Sequence, residues 1–450
     1  ITENDDYGKS DEGKGKKIMV EFVSANPTGP MHMGNARGGA IGDGLAEAMK
    51  WCGYDVTREF YVNDAGNQIA KFGHSLSARY LQHFKGEDAI EFPEDGYHGA
   101  DIKERAEEYI ALYGDKLLNF DEDTRSDELV KFALPKNIEK MKQDLAKYRI
   151  NYDTWFLEST LHESGAITNT IEKLRKSDLT YEKDGALWLK TPGEEEKDEV
   201  LVRANGIPTY FAADIAYHMN KFATRGFDRA INIWGADHHG HVARLKSALD
   251  AVGLDGSKLD IVLMQLVRLT KDGELVKMSK RTGNAISLTD LLDEIPIDAA
   301  RFFFNMREPA SALDFDLGLA VKEDSDNPVY YVQYAHARIC SIVKNILAEN
   351  IKIVENPDLS VLINDNEIDL IRELASFPEE IILSAKNYDP ARMTHYAVEL
   401  ANSFHRFYNA CRVKNDDEDL MQARLALCLA TKQVLENVLT ILNITAPEVM

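Results

Sequence analysis

The run Ile18-Met19-Val20-Glu21-Phe22-Val23-Ser24, broken by Ala25-Asn26-Pro27-Thr28-Gly29-Pro30 and followed by Met31-His32-Met33-Gly34-Asn35, decides the fold. An apolar run that ends in turn residues reads as a strand handing over to a loop. The small-residue segment 34–50 behind it reads as a helix closed by Gly53, and 57–62 as a second strand. Strand, helix and strand in that order predict a βαβ unit and a Rossmann-like parallel sheet. The alternation returns with a helix at 210–222, a strand at 230–234, a helix at 238–252 and a strand at 260–264. Between the halves, charged helical stretches at 101–119 and 126–148, a short strand at 186–190 and the acidic Glu194-Glu195-Glu196 read as an insertion.

Beyond Pro328 the pattern changes. Amphipathic stretches at 329–348, 366–386, 391–413 and 420–443, with polar joints such as Asn415-Asp416-Asp417, predict a helical bundle. The expected fold is α/β, a parallel-sheet domain with an insertion, followed by an all-α bundle. Its expected divisions are 1–86 and 198–290 for the two halves of the sheet domain and 87–197 for the insertion. A connecting region at 291–326 and a bundle at 327–450 complete it.

Composition narrows the function classes. At 450 residues the chain exceeds one core, and 44% hydrophobic with 28% charged residues is ordinary for a soluble enzyme. No apolar run nears the ~20 residues needed to span a bilayer, so no membrane partner is expected. The polar start Ile1–Ser10 has neither an initiator Met nor a signal-peptide core, which predicts a cytoplasmic chain whose natural beginning is removed. Cys52, Cys340, Cys411 and Cys428 form no C-x-x-C pair, so neither a disulfide framework nor a structural zinc is expected. A net charge of −23 excludes indiscriminate nucleic-acid binding but leaves room for a local positive groove.

Three elements carry phosphate chemistry. His32-Met33-Gly34-Asn35 lies where strand passes to helix, the place at which parallel sheets collect ligands and helix N-termini offer N–H groups. Gly34 lets a flat base approach the backbone, and His32 and Asn35, three apart, share a face and can donate to a phosphate. Lys277-Met278-Ser279-Lys280-Arg281-Thr282-Gly283 forms a basic loop suited to charge developing on a departing pyrophosphate. Trp234-Gly235-Ala236-Asp237-His238-His239-Gly240-His241 ends a strand, and Asp237 can accept from a sugar hydroxyl pair. The clustered histidines also suggest zinc, but no Cys or carboxylate cluster at ligand spacing accompanies them.

Two carboxylates sit in apolar surroundings, Glu21 and Asp214, the latter four residues after Tyr210 and on the same helix face. Burial demands a cation for each, either a substrate or an internal partner such as Arg203 or Arg37. Two acids and a tyrosine suit a guanidinium, whose planar fork meets carboxylates at two points.

His32-x-Gly34-x early and Lys277-Met278-Ser279-Lys280 late in one parallel-sheet fold resemble the paired signature of class I aminoacyl-tRNA synthetases. The block Val20–Arg37 looks like the arginyl-tRNA synthetase family. So do Tyr61-Val62-Asn63-Asp64-Ala65-Gly66-Asn67-Gln68, the segment Asn327–Arg338, and the segment Phe404–Val413. The resemblance runs from about residue 16 to Met450. It implies an arginine–tRNA ligase with L-arginine, ATP with Mg²⁺ and tRNA(Arg) as partners, acting as a monomer. Glu21, Ser24, Asn26, Tyr210 and Asp214 would hold arginine. His32, Gly34, Gly235, Asp237, His238, Lys277 and Lys280 would hold ATP, with Asn35 and Ser279 completing the catalytic set.

The family further implies that activation depends on bound tRNA and that the bundle holds the anticodon, through Tyr330, Tyr334, Arg338, His405, Arg406 and Tyr408. Arginine carboxylate would attack the α-phosphate of ATP in line, and a terminal tRNA hydroxyl would then take the arginyl group. Two departures stand out: Asn35 replaces the usual second His, and the preceding domain usual in the family is absent. The rival readings are a class I lysyl enzyme, a non-catalytic tRNA-binding paralogue and a small-metabolite nucleotidyltransferase.

Overall fold

The structure, a computed structural model, describes residues 3–190, 198–271, 273–276 and 286–450. Strand β1 is Lys17–Glu21, followed by helix α1, Met33–Trp51, and strand β2, Asp55–Val62. Helix α1 is rich in small residues because it lies hard against the strand connection. A Cβ on Gly42 would stand 2.1 Å from the ring of Phe22. Helices α2 (Asn67–Lys85), α3 (Ala100–Tyr113) and α4 (Glu122–Lys147) then pack around a small core of their own, with Phe72, Leu76, Tyr80, Ile102 and Leu129 inside. Strand β3, Thr154–Leu157, follows.

β3 corrects the expected insertion. It pairs in parallel with β2 and forms one edge of the central sheet, so 87–197 is not wholly inserted. Four residues, Thr154-Trp155-Phe156-Leu157, are too short a run to show strand periodicity, which is why the sequence hid it. Helices α5 (Ser159–Glu163) and α6 (Ala166–Arg175) lead to an antiparallel sheet of β4 (Thr180–Lys183), β5 (Ala186–Leu189) and β6 (Glu199–Val202). That sheet straddles the expected boundary at 197/198, a second reason to redraw it.

Helix α7 is Tyr210–Met219, β7 Arg229–Gly235, α8 His239–Ala251 and β8 Leu259–Met264. The central sheet runs β3-β2-β1-β7-β8, all parallel. Strand order reverses between β1 and β7, and a crevice at the carboxyl ends of those strands is where such sheets bind ligands. Helix α1 covers one face and α7 with α8 the other. Strands β9 (Val267–Lys271) and β10 (Glu274–Val276) form a hairpin. After α9 (Leu288–Glu294) and α10 (Ile297–Phe304), β11 (Leu313–Asp316) pairs with β9, and the short α11 (Leu317–Ala320) follows.

The remainder is helical: α12 (Pro328–Ala348), α13 (Asp365–Asn387), α14 (Ala391–Ala410) and α15 (Glu418–Ile441). Arg301, fully buried, ties this bundle to the sheet domain. Its guanidinium donates to the carbonyls of Leu442 (2.9 Å) and Tyr148 (3.0 Å) and to the Asp43 carboxylate. No described helix is long and apolar enough to cross a membrane.

Candidate amino-acid and nucleotide site

The register of the central sheet places Glu21 of β1 opposite Glu59 of β2 and Asn232 of β7. Partners in a parallel pair share a face, so two carboxylates lie side by side where water is excluded. Such a row is tolerable only with cations against it. Helix α7 supplies them by ending in one π-helical turn, Asn220–Thr224, which widens the helix beneath the strand ends. Lys221, fully buried, reaches Glu21 Oε2 at 2.5 Å and Asn232 Oδ1 at 3.0 Å. Arg225 pairs with Glu59, which also accepts the Tyr217 hydroxyl at 2.5 Å. The internal ion pair weighed for Glu21 therefore exists, with Lys221 rather than Arg203 or Arg37.

The ammonium sets a direction for the bonds beyond it. Asn232 accepts from Lys221 through Oδ1, so its amide nitrogen faces His218 Nε2 at 3.1 Å, and His218 Nδ1 donates to the Asp214 carbonyl at 2.8 Å. Burial, then the nearby Lys221 charge, pushes the His218 pKa well below the ordinary histidine value, which agrees with a neutral ring in that tautomer. The Asp214 carboxylate is separately held: His241 Nε2 lies 2.9 Å from Oδ2, and the His241 ring packs against Phe211 and Trp234.

These groups line a cavity of about 520 Å³ at the carboxyl ends of β1 and β7. Of the residues expected from sequence, Glu21, Ser24, Asn26, Tyr210, Asp214, Gly235, Asp237 and His238 meet there. Val23 and Ser24 leave β1 with φ of 70° and 42°, and a branched residue in that region stores strain of about 1–3 kcal/mol. The bend returns the Ser24 hydroxyl to Glu21 Oε1 (3.2 Å) and lets it accept from the Tyr61 N–H (3.2 Å). Tyr210 stands at the mouth, 69% exposed, and is not closed over the cavity.

His32 caps helix α1. Its Nδ1 accepts from the Gly34 N–H at 3.1 Å, and its own N–H donates to Asn35 Oδ1 at 3.0 Å, a reciprocal capping box. With Nδ1 an acceptor, the ring proton is on Nε2, which has no acceptor among the described residues. The ring keeps an exposed edge, yet the atoms around it hold its pKa below the ordinary value. Gly34 serves the imidazole directly: a Cβ there would stand 2.9 Å from His32 Cε1. Asn35 thus commits its carbonyl oxygen to the cap, leaving only its amide nitrogen for a ligand.

Lys277, Ser279 and Lys280 lie outside the described residues. The chain returns from them onto helix α1: Met33 N–H donates to the Ile286 carbonyl (3.2 Å) and Leu288 N–H to the Met31 carbonyl (2.8 Å). Ser287 itself bridges His32. Arg37 fixes the other side of this junction, donating to the carbonyls of Gln265 (2.8 Å), Glu308 (3.1 Å) and Ser311 (2.9 Å), with burial lowering its pKa to about 10. Asp237 and His238 are largely exposed, 3.7 Å apart. Among the described residues no group of three potential metal ligands gathers.

In the bundle, Tyr330, Tyr334 and His405 line a depression of about 400 Å³, with the Tyr334 and His405 rings 6.0 Å apart and nearly parallel. Arg338 lies over the Tyr408 ring and donates to its hydroxyl at 2.8 Å, while Arg406 folds back onto Ser403.

The family described as tRNA synthetases class I (R), catalytic domain, matches residues 1–322, and the DALR anticodon binding domain matches 332–450. An arginine–tRNA ligase of Caldanaerobacter subterraneus subsp. tengcongensis is 58% identical over 448 residues, covering 99% of this chain and 79% of its own. The chain belongs to the arginine–tRNA ligases. Another, from Acetivibrio thermocellus, is 57% identical over 451 residues, which is 100% of this chain and 80% of that one. A Campylobacter jejuni crystal structure described as an arginyl tRNA synthetase superposes with a TM-score of 0.89 at 35% identity, covering 100% of this chain and 97% of that one.

Several residues of this ligase's cavity escaped the sequence reading, Tyr61, Asn63, Tyr217, His218, Asn232 and His241, as did Lys221 behind Glu21. Glu158, at the end of β3, lies behind Tyr61, its pKa raised by burial and further by the Asp214 charge. A signal existed for part of this set. Asp214, Tyr217 or His218, and Lys221 recur at i, i+3 or i+4, and i+7, one polar stripe on an otherwise apolar helix.

Proposed function

We propose that this arginine–tRNA ligase seats arginine in the cavity at the ends of β1 and β7, with its guanidinium on Asp214 and Glu21, and ATP across His32 and Asp237. The observation that carries this reading is Asp214 itself. One of its carboxylate oxygens is held by His241, and among the described residues the other accepts no hydrogen bond, in a cavity whose one lining cation, Arg244, is paired with Glu199. A cation there gains a charge-assisted bond that no internal group makes. Ser24 and Asn26, on the strained bend, address the α-amino and carboxyl groups, and Tyr210 swings over the guanidinium when arginine is bound.

ATP is taken as its magnesium complex, which brings the metal in with the nucleotide. Asp237 accepts from the ribose hydroxyls, and Gly235 and Gly34 allow close approach of the nucleoside. His32 Nε2–H donates to phosphate, helped by Asn35. Lys277, Ser279 and Lys280 meet the charge that builds on pyrophosphate. The arginine carboxylate attacks the α-phosphate in line, and positioning with charge stabilisation carries the step without a side-chain nucleophile. The arginyl group then passes to a terminal hydroxyl of tRNA(Arg), whose anticodon is held by Tyr330, Tyr334, His405 and neighbouring Arg338, Arg406 and Tyr408. The ligase is taken to work in the cytoplasm, and as a monomer because one chain carries both the amino-acid cavity and the anticodon bundle.

ATP–pyrophosphate exchange tests this directly. Exchange is expected with arginine and only when tRNA(Arg) is present. Exchange driven by lysine, or silence with every amino acid while tRNA binds, refutes it. Light scattering of the purified chain checks the monomer.

A further inference from the structure

Lys221 has no place in the reaction as described, yet it is among the largest fully buried side chains of the molecule and its ammonium stands directly behind Glu21 and Asn232, which line the amino-acid cavity. His241 is nearly as enclosed, 11% exposed at its side chain. Both do the same thing to a carboxylate. Lys221 holds Glu21 Oε2, and His241 holds Asp214 Oδ2. What remains toward the cavity is one oxygen of each: Glu21 Oε1, which takes only the Ser24 hydroxyl at 3.2 Å, and Asp214 Oδ1, which takes no hydrogen bond among the described residues.

We propose that Lys221 and His241 determine the amino-acid specificity of the cavity by each capping one carboxylate oxygen, so that substrate meets two separate single-oxygen acceptors. This rests on arginine binding in the cavity. A guanidinium spreads its donors along a rigid planar fork and satisfies two separated acceptors at once. An ammonium is a compact point charge that is strongly hydrated, and it needs several oxygens converging on one place to replace its water. Lys221 shows that the ground behind Glu21 and Asn232 accommodates such a group. Glu21, Asn232 and the Tyr217 ring at 4.2 Å enclose its ammonium, and because that place is filled, a substrate lysine finds no equivalent. The device is selection by exclusion: the chain's own lysine occupies the ammonium site, and only a forked cation fits what is left. Lys221 and His241 are positioning residues in this role, acting through Glu21 and Asp214.

The test compares arginine with lysine, using tRNA-supported pyrophosphate exchange for arginine kcat/KM and lysine as competitive inhibitor for its Ki. Lys221→Met uncaps Glu21 by removing the buried ammonium while keeping the packing, and His241→Phe uncaps Asp214 while keeping the aromatic packing. The discrimination ratio is expected to fall at least about tenfold in each, chiefly because lysine binds more tightly. Lys221→Arg, which retains a cation on Glu21, is expected to discriminate like the parent. A merely structural role lowers arginine activity without strengthening lysine, and an unchanged ratio in folded Lys221→Met and His241→Phe overturns the proposal. Should Lys221→Met fail to give a cooperative thermal transition, His241→Phe decides alone. Failure of the parent chain to exchange with arginine refutes the assignment of the cavity instead, so the two failures are distinct.

Discussion

Replacing Asp214 with Asn keeps the shape of the side chain and removes its charge, which isolates one of the two acceptors proposed for the guanidinium. The native carboxylate gives one oxygen to His241 at 2.9 Å and leaves the other for substrate. A hydrogen bond to a charged partner contributes about 1.5–3 kcal/mol. The Asp214 side chain is 30% exposed, so water screens part of this, and about 2 kcal/mol is the expected loss. That is about thirtyfold in arginine binding, since about 1.4 kcal/mol is a factor of ten. The assay is tRNA-supported ATP–pyrophosphate exchange with arginine varied at saturating ATP, then the reverse. KM for arginine should rise about thirtyfold with KM for ATP unchanged, the signature of lost substrate binding. A rise below about threefold, or an equal rise for ATP, would mean that the guanidinium is held elsewhere and that the charge argument is wrong.

Other perturbations probe the rest of the site. Gly34→Ala puts a Cβ 2.9 Å from His32 Cε1, so the imidazole must leave its capping position; kcat for exchange should fall at least about tenfold while arginine KM holds. His218 is neutral when folded because its pKa is depressed, so as pH falls below about 6.5 the unfolded chain takes the proton first and folding stability drops. His218→Gln should lose up to about 1.4 kcal/mol per pH unit of that slope, read as the difference between the two proteins' urea midpoints from pH 7 to 5.5. Arg301→Met leaves the Tyr148 and Leu442 carbonyls unbonded while Asp43 keeps Arg58 at 3.0 Å. A loss of about 3 kcal/mol in unfolding free energy is expected, and a loss under about 1 kcal/mol would show the guanidinium to be incidental. Tyr334→Ala removes the ring beside His405 and should weaken tRNA(Arg) binding by about 1–3 kcal/mol in a filter assay without changing arginine KM.

How far the sequence showed this architecture follows from which signals are local. The β1–α1–β2 unit was readable because each element carries its own periodicity and its own punctuation, Asn26-Pro27-Thr28-Gly29-Pro30 at one end and Gly53 at the other. The bundle was readable for the same reason, four long amphipathic runs with polar joints. β3 was not, since four residues reveal no period and their strand state is imposed by pairing with β2 across the helices α2 to α4. Among site residues, Asp214 and Tyr210 announced themselves as polar groups at helical spacing, whereas His241 looked like one of several histidines until its helix brought it to Asp214.

The harder gap concerns Glu21. A carboxylate in a strand of apolar residues demands a cation, and the sequence alone offers no way to choose between a substrate and an internal partner. The choice is made by register. Glu21, Glu59 and Asn232 fall on one level of three neighbouring strands, which raises the local negative charge beyond what one substrate cation neutralises. The π-helical turn after Met219 answers with Lys221 and Arg225, one for each carboxylate. With both acids paired from within, Glu21 keeps only Oε1 toward the cavity, and Asp214 supplies the charge that a cationic side chain meets. The turn that looks like an irregularity of α7 is therefore what converts an acidic row into a site for one positive charge.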